Sequence, residues 1–384
     1  MKLFLLKNIF TTLIIFLSFF YSSFAQEKLI YYPSGIDKVT EQKDLVYSEP
    51  EGKNLYFNFY SKTAGNSPKP LVIIMNGFGN DQMRNAFFQI EWAKLFAADE
   101  FAAITFDSRQ QTVEDDFNSL IKYLDEHKSQ LGISPDRIIL YAASGNVYKS
   151  LNIAEDPNNK FIKGAIFYYG FGPVESFRYD LPVLFVRSGL DNISTNKKID
   201  SLLSRAINEN APIEILNNPG GHHPFEFEGT NEYSINILKR TLQFAKDAIE
   251  EKLHNSTEII KDEIIAGTAL YNNDFKTAVI VYKKLSEDFP ENPDIRKALA
   301  DALLGAEKYR DAVAQYQKAI DLGNWRIRDI SIPAAVACVK MKDIEAVYYW
   351  MQKIVGTPNG KNMAKANPEF ELLWKEERFN ELLK

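Results

Sequence analysis

The chain has 384 residues, more than one domain usually holds, and its 45% hydrophobic and 25% charged fractions are those of packed globular structure, which excludes a disordered chain. The net charge of −6 is spread along the sequence without a basic stripe, which argues against nucleic acid as a partner and leaves no polybasic membrane anchor. Two domains are the starting expectation.

Lys2 and Lys7 flank an apolar run from Ile9 to Phe20, and Ser23, Phe24 and Ala25 follow with small residues where a secretory signal peptide is cut. The reading is a leader over residues 1–25 and a secreted or periplasmic protein starting near Gln26. The alternative, an uncleaved anchor, has a run shorter than the ~20 residues a spanning helix needs, so no stable membrane insertion is expected after cleavage. Cys338, the one cysteine, has no mate for an intramolecular disulfide and lies among Ala334, Ala335, Val336 and Ala337, the surroundings of a buried helical thiol.

From Leu45 to Tyr60 apolar and polar residues alternate around Glu49-Pro-Glu-Gly52, which predicts an antiparallel hairpin with Leu45 and Tyr47 on one arm and Leu55, Phe57 and Phe59 on the other. Leu71 to Met75 is a continuous apolar run of the kind buried on both faces, and it closes in Asn76-Gly77-Phe78-Gly79, where backbone N–H groups can face a ligand. Asn85 to Ala98 carries Phe87, Ile90, Trp92 and Leu95 at helical spacing, and Phe101 to Phe106 is the next strand. Val113 to Leu131 predicts one long amphipathic helix with Phe117, Leu120, Ile121 and Leu124 on its apolar face. Ile138 to Ala142 read as a strand and Asn146 to Lys149 as the opening of a helix, so Ser144 stands in a tight turn between them. Phe161 to Tyr169, Leu181 to Val186 and Ile213 to Leu216 supply the remaining strands. An antiparallel start followed by alternating strands and helices predicts an α/β domain over residues 26–250, a mostly parallel sheet with helices on both faces and its functional groups at the carboxyl ends of the strands.

Beyond Phe244 the pattern turns to helices alone. Phe275, Ala278, Tyr282 and Leu285 recur as Tyr309, Ala312, Tyr316 and Ala319, each 34 residues on, and a weaker third copy sets Ala346 and Trp350 on the same grid with Asp343 where an aromatic is expected. Small residues at these positions let the two helices of a hairpin approach, and aromatics fill the gap between neighbours. Four matched positions disfavour unrelated amphipathic helices. The segment from about Glu258 to Gly356 resembles tetratricopeptide repeats, and Pro368, Phe370, Leu372, Leu373 and Phe379 suggest a capping helix, which gives an all-α second domain over residues 255–384.

A neutral serine needs a base to become a nucleophile, and only four histidines are present. His127, at a polar helix end, and His254, in a charged link, read as solvated residues. His222 and His223 instead lie in Asn218-Pro-Gly-Gly-His-His-Pro-Phe225, a loop directly after the last strand whose glycines and prolines permit a sharp excursion over the sheet edge. Asp191, just after the strand Leu181 to Val186, can orient such a base. The alternatives are a serine that merely caps a helix, an aspartate that caps the next one and a hydrogen-bonded histidine loop.

The chain order Ser144, Asp191, histidine is that of the alpha/beta-hydrolases. From about Leu45 to Lys246 the sequence resembles a dienelactone-hydrolase-like or esterase-like alpha/beta-hydrolase through Asn76-Gly77-Phe78-Gly79, Ser144-Gly145, Gly189-Leu-Asp191 and Gly221-His-His223-Pro-Phe225. The resemblance implies Ser144 as nucleophile, Asp191 as acid and His223 as base, the last because a small residue and then Phe follow it. It further implies the Phe78 and Gly145 backbone N–H groups as the oxyanion hole, and neither metal nor organic cofactor. Two departures stand out. Asn76 replaces the usual histidine before the oxyanion glycine, and Ala142 and Asn146 replace the outer glycines of the G-x-S-x-G elbow. The expected function is a secreted carboxylesterase acting on a small-molecule or polymer-linked ester, with the repeats recruiting substrate or a protein partner. The rivals are a peptidase and a catalytically weak or inactive hydrolase-fold scaffold.

Overall fold

The computed structural model describes residues 28–62, 67–80, 82–228, 231–253, 258–324, 326–357 and 359–384. The expected leader and His254 lie outside the described residues. The chain divides into two compact units at residues 254/255.

The first unit is built on one eight-stranded sheet in the order β1-β2-β4-β3-β5-β6-β7-β8. The strands are β1 (Val39–Ser48), β2 (Leu55–Lys62), β3 (Lys69–Ile74), β4 (Ala102–Phe106), β5 (Ile133–Ala143), β6 (Ile162–Tyr168), β7 (Val183–Ser188) and β8 (Ile213–Asn218). β2 runs antiparallel to both β1 and β4, and every other neighbouring pair is parallel. This is the alpha/beta-hydrolase sheet that the resemblance implied.

The central strands are apolar throughout because both faces are covered. Side chains alternate across a strand. Leu71, Ile73, Ile138 and Leu140 therefore join the core formed with helices Val113–Glu126, Val147–Glu155 and Ile193–Asn208. Val72, Ile74, Ile139 and Tyr141 join the opposite one, formed with helices Phe87–Ala98 and Glu232–Ile249. Each fully buried aliphatic side chain here contributes about 1.5–3 kcal/mol.

The structure departs from two local expectations. β2 is not half-exposed: Asn58 and Tyr60 are as buried as Phe57 and Phe59, because both faces of β2 are covered, Phe57 and Phe59 joining one core and Tyr60 the opposite one with helix Phe87–Ala98. The helix from Val113 ends at Glu126, and a separate turn of helix spans Lys128–Leu131. Between them His127 leaves helical geometry, its ring stacked on Tyr123 at 3.9 Å and its Nδ1 2.8 Å from the Tyr123 carbonyl oxygen. It is half-buried and tied to its own helix, not simply solvated.

The second unit is helical: Glu258–Tyr271, Phe275–Asp288, Pro293–Gly305, Tyr309–Asp321, Ile327–Lys340, Ile344–Val355, Gly360–Ala366 and Glu377–Leu382, with a 3-10 segment at Pro368–Leu373. Each of the first six packs on the next, and Pro293–Gly305 also touches Glu258–Tyr271 and Ile327–Lys340. The first two copies of the sequence grid hold: Ala278, Leu285, Ala312, Tyr316 and Ala319 are buried. The third is displaced by one. Val347, Met351 and Ile354 are fully buried at the positions of Ala312, Tyr316 and Ala319, a spacing of 35. The extra residue lies in the helix Ile327–Lys340, which has 14 residues against 13 for Pro293–Gly305, while the longer link 322–326 is offset by a preceding helix one residue shorter than Phe275–Asp288. Asp343 therefore occupies the N-cap, its Oδ1 accepting from Ala346 N at 3.1 Å, and replaces no aromatic. Cys338 is buried in this core.

Candidate active site

β5 carries the apolar run to Ala143, the turn Ser144–Asn146 follows, and helix Val147–Glu155 begins at once. Ser144 has φ 57°, a left-handed conformation that costs a residue with a Cβ free energy and holds the side chain at the apex of the turn. Its hydroxyl caps neither the turn nor the helix, whose N-cap residues are Ala143 and Asn146. The turn is tolerated without its outer glycines because glycines on the flanking segments yield instead. A Cβ on Gly77 would meet the Asn146 carbonyl oxygen at 2.0 Å, and one on Gly170 would meet the Ser144 carbonyl oxygen at 2.3 Å. The steric need that G-x-S-x-G meets locally is met here from the ends of β3 and β6.

The loops after β7 and β8 are joined to each other. Gly189 N donates to the Asn218 carbonyl at 2.7 Å, Leu190 N to the Gly221 carbonyl at 2.9 Å, and Ser188 Oγ to the His222 carbonyl at 3.0 Å. This sets Asp191 against His223, with Nδ1 2.8 Å from Asp191 Oδ2. The other carboxylate oxygen, Oδ1, accepts from Asn192 N at 2.6 Å. Helix Ile193–Asn208 is capped by Asn192, whose side chain accepts from Ser194 N and Thr195 N, so Asp191 is not its cap. Of the two adjacent histidines, only His223 meets the aspartate, and the His222 side chain is exposed.

Ser144 and His223 line one cavity of about 440 Å³ with apolar walls that include Phe78, Phe87, Trp92 and Phe227. Among the described residues no hydrogen bond joins the Ser144 hydroxyl to His223, a looseness common before substrate binds. Gly145 follows the serine within the turn, and its missing Cβ lets the Phe78 ring lie where a side chain would meet it at 2.5 Å.

The second implied oxyanion donor differs from expectation. Phe78 N already donates to Asn146 Oδ1 at 3.1 Å, so this N–H is occupied. Asn76, where the resemblance has histidine, braces the oxyanion turn: its Nδ2 donates to the carbonyls of Asn80 at 2.6 Å and Phe106 at 3.2 Å.

Two further groups adjoin the pair. The Tyr169 ring lies 4.2 Å from that of His223, and its hydroxyl donates to Glu226 Oε1. Burial pushes the Glu226 carboxyl up, against the lowering effect of the Tyr169 and Trp92 donors and of His223. Sequence reasoning gave no role to Tyr169 or Glu226 and took Asn146 only as a departure from the elbow motif; for Glu226 a signal existed in its place three residues after His223. Among the described residues no cluster of His, Cys, Asp and Glu is arranged to hold a metal ion.

No family model matches the sequence, and no curated protein matches it. Similar solved structures include an alpha/beta hydrolase enzyme from a Medee basin deep-sea metagenome library, 12% identical, covering 56% of this chain and 99% of that one with a TM-score of 0.46. Brefeldin A esterase, a bacterial homologue of human hormone-sensitive lipase, is 13% identical over 57% of this chain and 80% of its own, with a TM-score of 0.45. Esterase B from Lactobacillus rhamnosis is 13% identical over 58% and 90%, with a TM-score of 0.48.

Proposed function

We propose that the chain is a serine hydrolase of the carboxylesterase type. The observation that carries the reading is the Asp191–His223 contact of 2.8 Å beside an apolar cavity shared with Ser144, a serine held at φ 57°. In this reading Ser144 Oγ attacks the ester carbonyl while His223 Nε2 takes its proton, and Asp191 holds the imidazole tautomer and the imidazolium that forms. His223 then gives that proton to the leaving alcohol, and water releases the acyl group by the same steps in reverse. The cavity walls suit an apolar acyl or alcohol group. The reading extends to export by the N-terminal segment and to tetratricopeptide repeats in the second unit that recruit a polymer-linked ester or a protein partner.

Incubation with a fluorophosphonate, followed by mass spectrometry, is expected to place the adduct on Ser144, and Ser144→Ala is expected to abolish both labelling and hydrolysis across a panel of esters. The occupied Phe78 N–H favours a second reading, a hydrolase-fold scaffold that binds without turnover. Absence of labelling in folded protein would establish that second reading and remove the first.

A further inference from the structure

The Phe78 N–H bond to Asn146 fixes more than it occupies. A carboxamide has one acceptor and two donors on opposite arms. With Oδ1 held by Phe78 N, the Asn146 side chain has a defined orientation and its Nδ2 takes the other arm. Among the described residues Nδ2 has no hydrogen-bond partner. Asn146 is 6% exposed and lines the cavity with Ser144 and His223, and its Nδ2 is not among the sealed polar atoms without a partner. An amide NH₂ without a protein partner, on a nearly buried residue that lines the reaction cavity, is a donor that can meet an acceptor there.

We propose that Asn146 is a catalytic residue whose Nδ2–H₂ group, with the Gly145 N–H, forms the oxyanion hole in place of the Phe78 N–H. The inference rests on the esterase reading above. As Ser144 Oγ bonds to the carbonyl carbon, the C=O π pair moves onto oxygen and the serine proton passes to His223. The oxygen then accepts from Nδ2, and that bond is released when the carbonyl re-forms and the alcohol leaves. The Phe78 N–H acts on the far side of the amide, as the group that keeps the NH₂ turned toward the serine. A side-chain donor anchored by a backbone N–H is preorganised, the property that makes such donors effective on developing charge. The position that carries a glycine in the usual elbow thus carries a donor here.

The test compares Asn146→Ala and Asn146→Gly with the parent on p-nitrophenyl butyrate and on butylboronic acid, whose serine adduct is tetrahedral and anionic. Thermal unfolding curves confirm that the variants are folded, and the glycine variant restores the residue the elbow motif accommodates. Loss of the donor is expected to lower kcat by about a hundredfold with KM within about threefold, and to weaken the boronate by a similar factor. Variants as fast as the parent, or faster because the Phe78 N–H is freed, would overturn the proposal and leave Asn146 as a plug. Fluorophosphonate labelling of the parent separates the two claims. An unlabelled parent defeats the esterase reading, and equal boronate affinity in parent and variants defeats the inference whether or not the parent labels.

Discussion

His222 and His223 are neighbours in sequence with opposite surroundings, because successive side chains on an extended loop point different ways. The backbone carbonyl of His222 is held by Ser188 Oγ while its ring is exposed, and the ring of His223 lies between Asp191 and Tyr169. In the proposed mechanism His223→Ala loses about 10²–10⁴-fold in kcat, the usual worth of a general base, and His222→Ala stays within about threefold because its backbone bond is retained. Steady-state kinetics of the two variants check this, and the reverse ranking would make His222 the base.

The helix that follows the serine is clamped at its far end. Glu155 accepts from Arg178 N at 2.6 Å, and Arg178 Nη1 donates to the carbonyls of Ala154 and Asn159, each at 3.0 Å. Burial raises the Glu155 carboxyl to about 7, only partly offset by Arg178. A folded-state value above that of the unfolded chain means that protonation favours the fold. Stability is then greatest below about pH 4.5 for this group and falls as pH rises to about 7, by up to about 3 kcal/mol. Glu155→Gln keeps an acceptor for Arg178 N and does not titrate, so urea midpoints measured across pH 5 to 7.5 are expected to slope less for the variant than for the parent. Equal slopes would show that Glu155 does not contribute to the pH dependence. In the helical unit, one residue more between Tyr309 and Ile344 than between Phe275 and Tyr309 moves the core positions of Ile344–Val355 by one, yet the pattern of buried residues is preserved because each helix is set by its neighbours.

The two units have separate cores. The two clusters on the faces of the sheet draw on residues between Leu29 and Leu253, and the cluster of the helical unit on residues from Ala266 to Leu383. Every residue of the proposed site lies in sequence between Leu29 and Leu253. A chain ending at Lys252 is therefore expected to fold and to hydrolyse a small soluble ester within about twofold of the full-length rate, while losing recognition of any partner or polymer held by the helical unit. Thermal unfolding and kinetic constants for the two chains decide the matter. An insoluble or inactive shorter chain would make the helical unit a support of the site.

Features that depend on residues close along the chain are legible in the sequence. The apolar runs at Leu71 to Met75 and Ile138 to Ala142 are long and unbroken because each strand buries both faces, and periodicity reports burial directly. The turn at Ser144, the acid after one strand and the histidine loop after another could be placed because each follows a strand end. Contacts between distant segments left no such trace. That β2 is interior follows from its pairing with β4. The Phe78 N–H and the Asn146 side chain meet across 68 residues, and Tyr169 reaches Glu226 across 57. The glycines that make room for the elbow, Gly77 and Gly170, sit on other segments than the serine. One residue more in the helix Ile327–Lys340 than in Pro293–Gly305 leaves the period almost unchanged and still moves the core. Periodicity records which face of an element is buried, whereas the partner across that face is chosen by packing among all the elements at once.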